Sequence, residues 1–163
     1  MKILLLSLFL LFSTLSYAQQ TTTFILVRHA EKAVDGTKDP GLTKEGEAKA
    51  THLLEIFAKA DIKSIYSTDL KRTRMTVSPL AKSKGLEIQT YEWKSPKALL
   101  IKILEANMGG TVVISGHSNT TPILANFLLD STKIEQFEDD DYGNLLIITT
   151  TKVGAGKLLH LRY

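Results

Sequence analysis

Short apolar runs rich in β-branched residues alternate along the chain with stretches whose apolar positions recur every three or four residues. The first kind predicts buried strands and the second amphipathic helices. Phe24 to Val27 is the first strand, and a loop rich in Asp, Gly and Pro follows from Ala33 to Gly41. Thr43 then offers a cap to a helix running to about Lys59, with Ala50, Leu53, Leu54 and Phe57 on its buried face and His52 on the solvated one. A second strand, Ile62 to Tyr66, leads into Ser67, Thr68 and Asp69, any of which can cap a helix beginning near Leu70. Pro79 either bends that helix or, behind Ser78, opens a new turn. A weak third strand, Leu86 to Thr90, precedes a helix opened by Ser95 and Pro96, with Leu100, Ile103 and Leu104 on one face and Gly109-Gly110 at its end.

The strongest strand signal is Thr111 to Ser115, followed by a helix capped by Thr120 or Thr121 that turns Ile123, Leu124, Phe127 and Leu128 inward. Leu145 to Thr149 and Leu158 to Leu161 form a closing hairpin around a Gly-rich turn, with the acidic segment Glu138 to Asp141 solvated before it. The fold class is α/β: a three-layer arrangement, a mainly parallel sheet with helices on both faces.

The first residues change the picture of where the chain resides. Lys2, the apolar block Ile3 to Phe12 and the small residues Ser16 and Ala18 have the pattern of a secretory signal peptide over residues 1–18. The block is too short to span a bilayer, so no membrane anchor is expected after cleavage, and residues 19–163 form a single domain in an exported protein, periplasmic or extracellular. The chain has no cysteine, which removes disulfides and thiolate metal sites. Its formal charge of +3 falls by one when Lys2 is removed, and no basic run is interleaved with aromatics, so nucleic acid is not an expected partner.

Candidate chemistry gathers at the strand ends. Arg28 and His29, Arg72, Glu92 and His117 each follow a different predicted strand, and in a parallel sheet those ends open on one edge. Two guanidinium groups and two imidazoles meeting there fit a tetrahedral dianion. His160 alternates with Leu159 and Leu161 and is read as structural or exposed, and Arg74 as a surface residue.

Val27-Arg28-His29-Ala30-Glu31, Leu42-Thr43 with Gly46, Tyr66 to Arg72 with Thr76, and Val113 to Ser118 together resemble the histidine phosphatase superfamily, the phosphoglycerate-mutase-like fold, in a short exported bacterial form. Ala30 replaces the family's more usual glycine. The resemblance implies a phosphomonoester hydrolase in which neutral His29 attacks phosphorus and becomes a phosphohistidine. Arg28, Arg72 and the His117 cation would bind the phosphoryl oxygens, with Glu31 and Ser118 also at the substrate. No cofactor and no metal is implied, and the substrate is a phosphorylated small molecule or a phosphoprotein. The proton donor is Glu92 by its place after the third strand, or Glu31 beside the nucleophile.

Two other readings use the same residues. A non-catalytic phosphate-binding module would keep the basic pocket without turnover. A serine esterase would use Ser118 at a strand-to-helix turn, with Asp139, Asp140 or Asp141 and then His160 following in order.

Overall fold

A computed structural model describes residues 20–163, and the expected signal peptide, residues 1–18, lies outside them. Ten elements follow one another: β1 (Thr22–Arg28), α1 (Lys44–Phe57), β2 (Ile62–Ser67), α2 (Lys71–Lys84), β3 (Ile88–Thr90), α3 (Pro96–Ala106), β4 (Thr111–Gly116), α4 (Thr120–Leu129), β5 (Asn144–Thr150) and β6 (Lys157–Arg162). The six strands form one sheet in the order β3-β2-β4-β1-β5-β6. β3, β2, β4 and β1 run parallel, and the β5–β6 hairpin adds to β1 antiparallel. The expected α/β architecture is present.

Alternation along β1 distributes its side chains between two cores, because successive residues of a strand point to opposite faces. Phe24 and Leu26 join Tyr66, Ile114, Leu146 and the apolar faces of α3 and α4. Ile25 and Val27 join Ile65, Val113, Leu145 and the faces of α1 and α2. With both faces covered, the parallel strands read as continuous apolar runs, as buried parallel strands do.

Local signals set most helix ends. Thr43 caps α1, its hydroxyl accepting from the Gly46 amide at 3.1 Å. Gly85, at φ +65°, closes α2 in the left-handed conformation that lacks a Cβ penalty. Pro79 stays inside a continuous α2.

Three expectations are corrected. None of Ser67, Thr68 or Asp69 caps α2; Asp39, from the preceding loop, accepts from the Lys71 amide at 3.0 Å. Asn119, not Thr120 or Thr121, is the N-cap of α4, and Thr120 is drawn inside to accept from the His117 amide at 2.8 Å. Phe127 does not face the core but is 40% exposed, because α4 is centred on Thr121, Leu124, Ala125 and Leu128. β3 is only three residues long and forms the sheet edge.

Candidate active site

β1 and β4 are neighbours, with Arg28 opposite Gly116, and the His29 amide donates to the Gly116 carbonyl at 2.9 Å. His29 and His117 therefore leave adjacent parallel strands at the same edge. Their rings stand edge to face with centroids 5.5 Å apart. β2 brings Thr68 to the same edge, and α2, starting just after it, carries Arg72 in its first turn. α2 and α4 both begin at this edge, so the positive ends of two helix dipoles add to its potential.

His29 is buried, and its Nδ1 lies 2.8 Å from the Ala30 carbonyl. A carbonyl can only accept, so Nδ1 carries the proton and Nε2 keeps its lone pair. Burial is the largest cause holding its pKa down to about 3, with Arg72, His117 and Arg28 adding to it, so the imidazole is the free base at pH 7. The turn behind it is fixed from two sides. The Ala30 amide donates to Thr76 Oγ1 at 2.9 Å, and a Cβ on Gly46 would stand 2.4 Å from the Glu31 carbonyl, so α1 can pack this close only with glycine there.

His117 Nε2 lies 3.0 Å from Thr68 Oγ1, which donates to Thr73 Oγ1 at 3.0 Å; Thr73 in turn donates to backbone carbonyls. That chain of donors makes Thr68 the acceptor and places a proton on His117 Nε2. Burial first, then Arg72, Arg28 and Lys32, lowers the His117 pKa to about 4. Both imidazoles are therefore neutral at pH 7, and a bound anion would favour the His117 cation that the resemblance implies. Lys32, exposed and with no motif to mark it in the sequence, adds a cation near this ring.

Arg28 is buried at 3% exposure and is committed further than expected. Nη1 donates to the carbonyls of Glu138 and Asp141, at 2.5 and 3.0 Å, and Nη2 to that of Asp139 at 2.8 Å. Tyr142 covers the guanidinium, 4.2 Å from its ring centroid, and stands 6.0 Å from the His29 ring. Glu138, Asp139 and Asp140 are exposed and the Asp141 carboxylate is held by Asn144 and Arg162, while the segment's backbone docks on Arg28, a correction to its reading as merely solvated. Arg72 pairs with Asp39 at 3.8 Å. Both arginines keep a buried Nε without a protein partner, and an unpaired buried N–H is costly enough to call for an acceptor.

The remaining candidates are less central. Glu31 pairs with Lys49, and its Oε2 is buried without a partner. Glu92 is 79% exposed beside Lys94, yet it lines a groove of about 390 Å³ that His117 also lines. Ser118 is half-buried, and its carbonyl accepts from the Phe137 amide at 3.0 Å. His160 bonds Asn144 at 2.8 Å on β6, three strand positions from β4, roughly 14 Å away across the sheet. The geometry does not bring Ser118 and His160 together. Among the described residues no cluster of His, Asp and Glu is arranged to hold a metal ion, and no helix is long and apolar enough to cross a membrane.

The depressed histidine pKa values have a consequence for stability. A histidine with a lower pKa folded than unfolded binds a proton on unfolding, so its stabilising contribution is lost as pH falls from about 6.5 toward about 3. We expect the thermal midpoint to fall more steeply over pH 6.5 to 4 in the native protein than in His29→Ala, and inorganic phosphate to reduce the difference. Parallel profiles for the two proteins would contradict this.

The sequence and the fold are similar to those of known proteins. Residues 24–93 match the histidine phosphatase superfamily (branch 1). Over 70 residues the chain is 37% identical to phosphoserine phosphatase 1 of Hydrogenobacter thermophilus, covering 39% of this chain and 33% of that relative. Only about a third of that relative's length is therefore matched. The fold is similar to the protein histidine phosphatase SixA bound to tungstate, with a TM-score of 0.72 at 16% identity over 86% of this chain and 96% of that one. It is also similar to phosphoserine phosphatase of Entamoeba histolytica in complex with 3-phosphoglyceric acid, with a TM-score of 0.67 at 16% identity, over 87% and 97% of the two chains. The fold is the phosphoglycerate-mutase-like fold of the histidine phosphatases, and these relatives are phosphatases.

Proposed function

We propose that this chain is a phosphomonoester hydrolase that works through a phosphohistidine on His29. The observation that carries the reading is a free-base imidazole, its Nδ1 turned to the Ala30 carbonyl, under the charges of two guanidinium groups that each keep a buried, unpartnered Nε. A nucleophile must present a lone pair, and a phosphoryl group needs donors for charge that spreads over its oxygens; this pocket supplies both.

In the first step Nε2 of His29 bonds to phosphorus as the bond to the leaving oxygen breaks, and that oxygen takes a proton. Arg28, through its remaining N–H groups, Arg72 and the helix termini hold the non-bridging oxygens. His117 gains a reason to charge as the dianion enters. In the second step water attacks phosphorus and His29 is restored. The cations already present supply the charge compensation that a metal gives in other phosphoryl-transfer sites. Between the two candidate proton donors, Glu92 is favoured by the groove it shares with His117.

Export remains part of the proposal and rests on the pattern of residues 1–18. The test of activity is hydrolysis of an aryl phosphate by the protein from Gln19 onward, with chelator present. Turnover insensitive to the chelator is expected. Vanadate binding without turnover would instead support a phosphate-binding module, and loss of activity to a serine-directed reagent would support the esterase.

A further inference from the structure

The groove that opens beside His117 is more than an entrance. Its floor is set by the Tyr91 amide, which donates to the Ser67 carbonyl at 3.0 Å, and by the Tyr91 hydroxyl, which donates to the Ser115 carbonyl at 3.2 Å. Thr68, Leu70 and Trp93 also line it. Trp93 is the chain's single tryptophan and is 46% exposed, so part of its ring is open to a ligand in the groove. The acids that line the groove have their own cations: Asp69 faces Arg74 at 3.7 Å, and Glu92 faces Lys94 at 3.7 Å. Among the residues that line the groove Lys94 is the single lysine or arginine, set against the carboxylates of Asp69 and Glu92, so a second anionic group is disfavoured there.

Resting on the hydrolase reading above, we propose that this groove is the leaving-group subsite and that it selects aryl phosphomonoesters, whose organic part is flat and carries no second anion. With the phosphoryl group at His29, the ester oxygen points away from Nε2, as in-line attack requires, and its substituent must leave through an opening of the pocket. The groove, about 390 Å³, is large enough for an aromatic ring system, and Trp93 offers a face for it to stack on. The aryl oxygen departs as the bond to His29 forms and takes its proton from an acid or from water. The same chemistry is met in a small aryl ester and in a phosphotyrosine side chain.

The experiment compares kcat/KM for 1-naphthyl phosphate, a phosphotyrosine peptide, glycerol 2-phosphate and 3-phosphoglycerate, in native protein, Trp93→Ala and Trp93→Phe. Trp93→Ala should lower kcat/KM for the aryl substrates roughly three- to tenfold, mainly through KM, and lower that for glycerol 2-phosphate far less, while Trp93→Phe restores most of the loss. An effect on naphthyl phosphate alone assigns the groove to small esters, and an equal effect on the peptide extends it to phosphotyrosine. An equal fall for all substrates, or none for any, would overturn the subsite. A direct readout is independent of turnover: phenylphosphonate should perturb the fluorescence of Trp93, and inorganic phosphate should compete. If that signal is seen without hydrolysis of any ester, the subsite stands and the hydrolase reading fails. If phenylphosphonate binds without perturbing Trp93, the subsite falls whatever the activity.

Discussion

Replacing His29 with alanine should lower phosphatase turnover by at least about 10⁴-fold, the scale on which enzymes lose rate with their nucleophile. No neighbouring group can take its place. His117 is the one other imidazole at this strand edge, and its Nε2 is engaged with Thr68. The loss should appear in kcat, while vanadate or phosphate still binds, because Arg28 and Arg72 do not depend on the His29 ring for their positions: Arg28 is held by the carbonyls of Glu138, Asp139 and Asp141, and Arg72 by α2 and Asp39. Steady-state kinetics beside an anion titration checks this. A variant with a tenth or more of native turnover would remove His29 from the chemistry.

Arg72→Ala should cost roughly 10²- to 10³-fold in kcat/KM, the usual effect of removing one donor that stabilises transition-state charge. Its guanidinium is mostly buried, with Nε unpaired, and it bears on both imidazoles, so its removal also relieves the pressure that keeps them neutral. The pKa of His29 should rise, and the acid limb of kcat/KM should move to higher pH. Arg72→Lys should recover only part of the activity, since a point charge cannot reproduce a planar fork of donors. A pH profile of the three proteins is the measurement. Full activity in the lysine variant would mean that charge alone matters there. The two arginines should also separate by stability: Arg28→Ala removes the group on which residues 138–141 dock, whereas Arg72→Ala removes one long ion pair.

The parts of this site that were legible in the sequence follow from one rule. Arg28-His29, Arg72 and Gly116-His117 follow apolar β-type runs, and parallel strands open their carboxyl ends on one edge, so their convergence could be inferred without coordinates, whereas the bond of Thr68 to His117 could not. Thr43 as a cap and the face through Ala50, Leu53 and Phe57 were legible because both signals are local.

What could not be read was carried by backbone groups or distant pairings. The hold of residues 138–141 on Arg28 is made by carbonyls, which every residue has, across more than a hundred positions of chain. Tyr142 reaches Arg28 and His29 only because β5 pairs with β1 on the side away from β4. Asp39 caps α2 from a loop whose path composition does not specify. Phe127 departs from expectation because α4 is apolar nearly all round, and its buried face runs through Thr121, Leu124, Ala125 and Leu128. The neutrality of His117 depends on burial among cations, which no spacing reveals.

The central claim is that phosphorus is bonded to His29 during turnover, and rapid quenching of the native protein with an aryl phosphate tests it most directly. The protein should gain the mass of one phosphoryl group, on the peptide containing His29, stable in base and labile in acid as a phosphoramidate is, and His29→Ala should gain none. Hydrolysis that proceeds with no such adduct under any quench, or an adduct that maps to Ser118 and survives acid, would contradict the account.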